Sequence, residues 1–334
     1  MRFATPGRLL VVGIVLLAVF LGLLTLQSND YIFLPDKAHP VAPLVTVSGG
    51  HDPTKGGIYF VDVIVRKATL LEQLFGGLHN GADLYPANAI NPPGVNDKQR
   101  RTLDLEDMKL SQQVAAAVAL KAAGKKVDLR PVGVRVVAVE LHAPATGKLE
   151  PDDVIVAVDG TRVRDPQALL KVMKKHHVGD AVTFTIKRGK QTLVKRLVTV
   201  SSHEPKPRPI IGIIPETAYD IRLPVPVRID AGNVGGPSAG VAFALDVLEE
   251  LGKDVAHGNK IAATGEINPD GSIGPIGGIK QKTIGARAAH VDAFLVPAGE
   301  NARDARKYAH GLRIIPVETF PQALRALATL PPKT

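Results

Sequence analysis

Gly235-Gly236-Pro237-Ser238-Ala239-Gly240 and, further on, Pro275-Ile276-Gly277-Gly278-Ile279-Lys280-Gln281-Lys282 decide how this chain is read. The first stretch puts a serine where Gly and Pro bend the backbone into a helix start. Val241, Ala244, Leu245, Leu248 and Leu251 then recur on one face, up to a stop at Gly252. The second stretch carries two lysines behind a Gly-rich turn. Serine is a weak nucleophile at neutral pH and needs a base. A lysine can be that base where burial lowers its pKa, because desolvation disfavours the ammonium. The pair points to Ser-Lys hydrolytic chemistry. Lys280 and Lys282 lie about 200° apart around a helix, so one should enter the site and the other should meet solvent. The residues alone leave open which.

Outward from these motifs, residues 204–334 read as an α/β (α+β) domain. After the joint Pro205–Pro209, strands are expected at Ile210–Ile214 and Val225–Ile229, and the serine turn leads into a helix over Pro237–Gly252. A short strand at Lys260–Thr264 and a hairpin around Asp270-Gly271 follow. Then come a helix over Lys280–His290, a buried strand at Ala293–Val296, and a final helix, strand and helix up to Leu330. Taken in order, Gly236–Gly240, Thr264-Gly265-Glu266 and Pro275–Lys282 resemble the proteolytic domain of the Lon family, from roughly Ile210 to Leu330. The resemblance implies Ser238 as nucleophile, Lys282 as general base and Thr264 as the hydroxyl that orients the base. Gly236, Pro237 and Ala239 shape the turn. Gly235 stands where many of these domains carry an acid, so the resemblance supplies no auxiliary carboxylate. It further implies assembly into a homo-oligomeric ring.

A second unit is expected over 125–203. Strands at Gly133–Leu141, Val154–Val158, Ala181–Lys187 and Thr192–Val200 flank a helix over Asp165–His177, which starts on an N-cap acid followed by proline. Gly147-Lys148-Leu149-Glu150-Pro151-Asp152-Asp153-Val154-Ile155-Val156-Ala157-Val158-Asp159-Gly160 resembles the signature of PDZ domains, a small β-barrel with helices. That likeness implies a peptide laid along the strand near Gly133, with Val132, Gly133, Val134 and Val136 lining the groove, bound by strand addition. Pro131 lacks the N–H that would help hold a terminal carboxylate.

Upstream, 31–124 reads as a small α+β spacer. Leu44–Val47 and Ile58–Val65 suggest a hairpin or ladder across the Gly49–Gly57 loop, with a helix over Ala68–Leu78, a turn at Asn91-Pro92-Pro93 and a helix over Leu105–Gly124. Within residues 1–30, Leu9–Leu26 is an uncharged apolar run. As a helix it would be roughly 27 Å long, about the thickness of a bilayer core. Arg2 and Arg8 precede it, which predicts a single-pass cell-membrane anchor with a cytoplasmic N-terminus and an extracytoplasmic bulk.

Composition narrows the chemistry. There is no cysteine, hence no disulfide, thiolate metal site or cysteine nucleophile. Net charge is +9 with aromatics at 4%, so basic runs are not interleaved with stacking rings and nucleic acid is not an expected partner. His176 and His177 are neighbours on a helix and point apart, and no metal or other cofactor is expected. No Gly-x-x-x-x-Gly-Lys-Ser/Thr loop occurs in the sequence. The expectation is an ATP-independent serine endopeptidase acting on proteins or peptides. The competing reading is a PDZ scaffold whose protease domain is inactive or only self-processing.

Overall fold

The structure, a computed structural model, describes residues 6–51, 55–91, 95–202 and 206–333. Arg2, Pro92, Pro93 and Pro205, read above as a flank, a turn and a joint, lie outside the described residues. Helix α1 (Pro6–Thr25) presents exposed apolar side chains from Leu10 to Leu21. Among the described residues no helix is long and apolar enough to cross a membrane, so the span expected at Leu9–Leu26 is not supported by the structure. Six short strands follow: β1 (Gln27–Pro35), β2 (His39–Pro40), β3 (Val45–Val47), β4 (Gly57–Phe60), β5 (Val63–Thr69) and β6 (Asp83–Tyr85). β1 pairs antiparallel with both β5 and β6. The long helix α2 (Asp97–Ala122) opens on a capping box, in which Asn96 and Gln99 each accept the other's backbone N–H at 2.9 Å.

The middle unit holds β7 (Asp128–Val139), β8 (Val154–Val158), α3 (Pro166–Met173), β9 (Ala181–Arg188) and β10 (Gln191–Val198). Asp165 caps α3 by accepting the Ala168 N–H at 2.7 Å. Its antiparallel sheet runs β10-β9-β8-β7 and then continues into β11 (Ile213–Arg222). Val134, Val136, Ile155, Val158, Phe184, Ile186 and Leu197 fill its core.

The remainder contains β12 (Val227–Ile229), a 3-10 turn at Pro237–Ala239, α4 (Gly240–Glu250), β13 (Lys260–Ala263), α5 (Ile279–Ala288), β14 (Ala293–Pro297), α6 (Glu300–Tyr308), β15 (Arg313–Val317) and α7 (Phe320–Leu327). A short hairpin pairs Glu266–Ile267 with Ile273–Gly274, as the Asp270-Gly271 turn suggests. The main sheet has the order β2-β4-β13-β14-β15, parallel from β4 onward with β2 antiparallel at its edge. Alternate side chains on a strand face opposite ways, and both faces are covered. Ile58, Phe60, Ile261, Ala263, Leu295 and Val317 turn toward α2, α4 and α7. Ala262, Phe294 and Val296 turn toward α5 and α6. This is the three-layer arrangement that a parallel sheet requires.

Two expectations change here. Residues 31–124 are not a separate spacer, because β2 and β4 are strands of the main sheet and β3 pairs with β12. Met108, Val114, Ala115, Val118 and Ala119 of α2 share one core with α4. The hairpin across Gly49–Gly57 is also absent. β3 pairs with β12 and β4 with β2 and β13, while Val45, Val47, Ile58 and Phe60 all bury themselves in that common core. The middle unit is therefore inserted in a larger α/β fold, between α2 and β11.

Candidate active site

The serine turn is held from three sides. Gly236 adopts φ +84, which lets the chain turn sharply before Pro237. Its N–H donates to the Asp104 carbonyl at 2.6 Å, and Ser111 Oγ donates to the Pro237 carbonyl at 3.0 Å, so α2 clamps the turn. From beneath, the Gly265 N–H (2.8 Å) and the Thr264 hydroxyl (3.0 Å) both donate to the Ser238 carbonyl. Gly240 is confined as well: a Cβ there would stand 2.8 Å from Ile267 Cγ2 and from Ser111 Oγ. Ala239 is buried under the turn.

Lys282 closes the first turn of α5, its N–H donating to the carbonyl of Gly278, which precedes the helix in a left-handed conformation at φ +67. Its Nζ lies 2.6 Å from Ser238 Oγ and 3.2 Å from Thr264 Oγ1. Lys282 is 3% exposed and Thr264 is fully buried at the end of β13, while Ser238 is half-buried. Burial pulls the Lys282 ammonium down to about 8, and the charge of Asp62 pulls the other way. The arrangement joins a hydroxyl nucleophile to an amine that sheds its proton readily, with a second hydroxyl fixing the amine.

Lys280 does not simply meet solvent. Its Nζ binds Asp83 Oδ1 at 2.7 Å and the Ala82 carbonyl at 3.2 Å. Gln281, 1% exposed, donates to Asp83 Oδ2 at 2.8 Å and to the Gly81 carbonyl at 3.0 Å. Asp83 thus fastens β6 to the first turn of α5. Sequence reasoning missed Asp83, Ser111 and Asp62, which come from segments far from the motifs. Asp62 carried one signal, a carboxylate inside the apolar run Ile58–Val65.

Beside the turn, Asp107, Ser111, Glu216, Pro237, Glu266 and Asn268 line a cleft of about 360 Å³. Arg135 on β7 crosses its rim, bonded to Asp107 at 2.9 Å and Glu216 at 2.7 Å. Burial first, and the Glu216 charge second, hold Asp107 up at about 6, and the same causes raise Glu266.

The expected peptide groove at Val132, Gly133, Val134 and Val136 has no free strand edge. β7 pairs with β8 on one side and with β11 on the other, in register from Ile213↔Val139 to Arg222↔Asp128. Gly133 faces Ala218, Val134 faces Thr217 and Val136 faces Pro215. Val134 and Val136 are fully buried, and the half-buried Val132 falls at the irregularity in this ladder. What remains is an apolar cavity of about 410 Å³ between α3 and the start of β11, lined by Leu169, Met173, Phe184, Ile211 and Ile213.

Residues 214–329 match the family model of the Lon protease (S16) C-terminal proteolytic domain. This chain carries a Lon-type proteolytic domain. Residues 103–197 match the PDZ domain, although the stretch up to Ala122 lies in α2 and packs with the Lon-type core. Among curated proteins, Lon protease 2 of Bacillus subtilis is 34% identical over 114 residues, covering 34% of this chain and 20% of the relative. A Lon protease of Methanosarcina barkeri is 37% identical over 113 residues, covering 33% of the chain and 14% of the relative. The Lon protease of Rhizobium meliloti is 27% identical over 239 residues, covering 69% of the chain and 29% of the relative. The chain therefore spans less than a third of the length of each of these relatives. Among solved structures, the PDZ domain of an SdrC-like protein from Listeria innocua is 29% identical and covers 25% of this chain and 92% of its own, with a TM-score of 0.24. The Lon-type match begins inside β11, whereas its sheet also takes β2 and β4 from before the PDZ unit.

Proposed function

We propose that this chain is a serine endopeptidase in which Ser238 is the nucleophile and Lys282 the general base. The observation that carries the reading is the 2.6 Å approach of a buried, pKa-lowered Lys282 Nζ to Ser238 Oγ. Neutral Lys282 takes the Ser238 proton as Oγ attacks a peptide carbonyl, and then gives it to the departing amine. Water then enters, loses a proton to Lys282 Nζ and attacks the acyl carbonyl, and the acid departs as Lys282 returns that proton to Ser238 Oγ. Thr264 keeps Nζ aimed at Oγ. The Ser238 backbone N–H is the donor assigned to the oxyanion, near the positive end of the α4 dipole, because the N–H groups of Gly236, Gly240 and Val241 already bond the Asp104, Pro237 and Gly265 carbonyls.

The substrates in this proposal are unfolded segments or tails of proteins, cleaved without an ATP-driven motor of this chain's own. The exposed apolar face of α1 supports a further part of it, in which α1 anchors the chain to the cell membrane and the protease acts outside the cytoplasm. Ring assembly belongs to the same reading. Purified full-length protein should degrade an unfolded protein substrate, and Ser238→Ala should lose at least ~10³-fold in rate. Equal cleavage by both proteins would remove Ser238 from the mechanism. Inertness of both would favour the scaffold reading.

A further inference from the structure

Beside α5 three chemistry-bearing side chains converge that take no direct part in the peptidase reading, although the charge of one of them, Asp62, is felt by Lys282. Asp36 follows β1, His39 opens β2, and Asp62 sits in the turn between β4 and β5. His39 Nε2 lies 3.5 Å from Asp36 Oδ2 and 3.8 Å from Asp62 Oδ1. All three ligand atoms fall within 4.8 Å of one another.

We propose that Asp36, His39 and Asp62 form a binding site for a divalent first-row metal ion, Zn²⁺ or Mn²⁺, completed by water. One imidazole nitrogen with two carboxylate oxygens is a donor set for these ions rather than for Ca²⁺ or Mg²⁺, which prefer oxygen alone. Ligands about 2.1 Å from a tetrahedral ion stand roughly 3.4 Å from each other, close to the separations from His39 to the two carboxylates. The second observation is an orphaned acceptor. Asp62 Oδ1 is buried from solvent and has no hydrogen-bond partner, an arrangement that costs free energy unless a cation faces it. Asp36 is already divided in the way a monodentate ligand needs: Oδ1 accepts the Lys37 N–H at 2.7 Å, which leaves Oδ2 for the ion.

The surroundings are stiff on one side and open on the other. The His39 ring stacks on Phe60 with centroids 5.4 Å apart. Gly285 of α5 presses on the Asp36 carbonyl so closely that a Cβ there would lie 1.8 Å from the oxygen. The three side chains are 29–44% exposed, which leaves room for water ligands and an entry path. An ion here would tie the edge strand β2 to the β4–β5 turn, against the helix that carries Lys282.

The test uses the full-length chain, stripped with a chelator and titrated calorimetrically with ZnCl₂ and separately with MnCl₂. One equivalent is expected to bind, with affinity about tenfold or more weaker in His39→Ala and in Asp62→Asn. His176→Ala, which removes a second histidine near carboxylates, should bind as the parent does. Thermal unfolding checks that each variant is folded, and Asp36→Asn replaces Asp62→Asn if the latter is not. A Co²⁺ spectrum with tetrahedral or five-coordinate bands, lost in His39→Ala, gives a readout independent of heat. The proposal fails if neither ion binds, if His39→Ala and the carboxylate variant bind like the parent, or if only His176→Ala loses the ion.

Discussion

Lys282 is asked to be uncharged in a chain where most lysines are not, and burial is what makes that reachable. With its pKa drawn down to about 8, only about 1% of Lys282 would be neutral at pH 6. Proteolysis should therefore rise roughly tenfold per pH unit up to about pH 8 and level off above it, read as kcat/KM against pH. The same shift contributes to stability with a definite sign. The folded chain loses this proton near 8 and the unfolded chain near 10.5, so between those values unfolding takes up a proton and stability rises with pH. Lys282→Arg should abolish activity, since a guanidinium stays protonated. Lys280→Arg keeps a cation for Asp83 and should stay active; an inactive Lys280→Arg beside an active Lys282→Arg would move the role of base to Lys280. These residues were legible in the sequence because each motif is local: Gly235–Gly240 and Pro275–Lys282 are continuous stretches whose glycines announce the turns. Sequence alone did not separate the two lysines, because 200° of helix says only that they diverge.

At the scale of elements, α5 has to be delivered as well as formed. Its first turn is fastened to β6 through Asp83, which binds both Lys280 and Gln281. Asp83→Ala should loosen that attachment and lower kcat by about three- to tenfold, with the limb near pH 8 unmoved, because the burial of Lys282 remains. A shifted limb would mean that Asp83 acts on the proton of Lys282 rather than on the position of α5. β11 raises a parallel point for the PDZ unit. A strand whose two edges are both paired has no backbone donors left for an incoming peptide. Amides of β7 and β11 that bond across their shared ladder should thus be protected against hydrogen exchange in the full-length protein with no peptide added, whereas β11, last in the sheet order, keeps an outer edge. Fast exchange of those ladder amides would instead mean that this strand lifts away and frees the edge. That pairing was not legible in the sequence: only Gly133–Leu141 and Ile210–Ile214 read as strands there, most of β11 was not anticipated, and register between distant strands is not encoded by either alone.

Across the whole molecule, the physical boundaries differ from those that composition suggests. The cut at residue 204 looks natural, because a Pro-rich joint precedes a complete run of motifs. Yet the sheet behind Ser238 gains β4 by parallel pairing with β13, and α4 is covered by α2. Parallel pairing needs no turn between its strands, so nothing local marks it. A fragment of residues 204–334 would uncover Val241, Ala244, Leu245 and Leu248, now fully buried or nearly so, and leave β13 an open edge. It should fail to give a cooperative thermal transition. The opposite excision should be tolerated. Asp128 at the start of β7 pairs with Arg222 at the end of β11, so the chain leaves and re-enters the Lon-type core at neighbouring points. Replacing residues 128–222 by a short Gly-Ser link should preserve a cooperative unfolding transition, because the removed piece takes its own core with it. Proteolysis by that variant should fall, since Glu216 and Thr217 of β11 wall the cleft beside Pro237. If residues 204–334 fold alone while the excised variant does not, the core would have to lie wholly after the PDZ unit, and the shared packing of α2 with α4 would carry little of the stability.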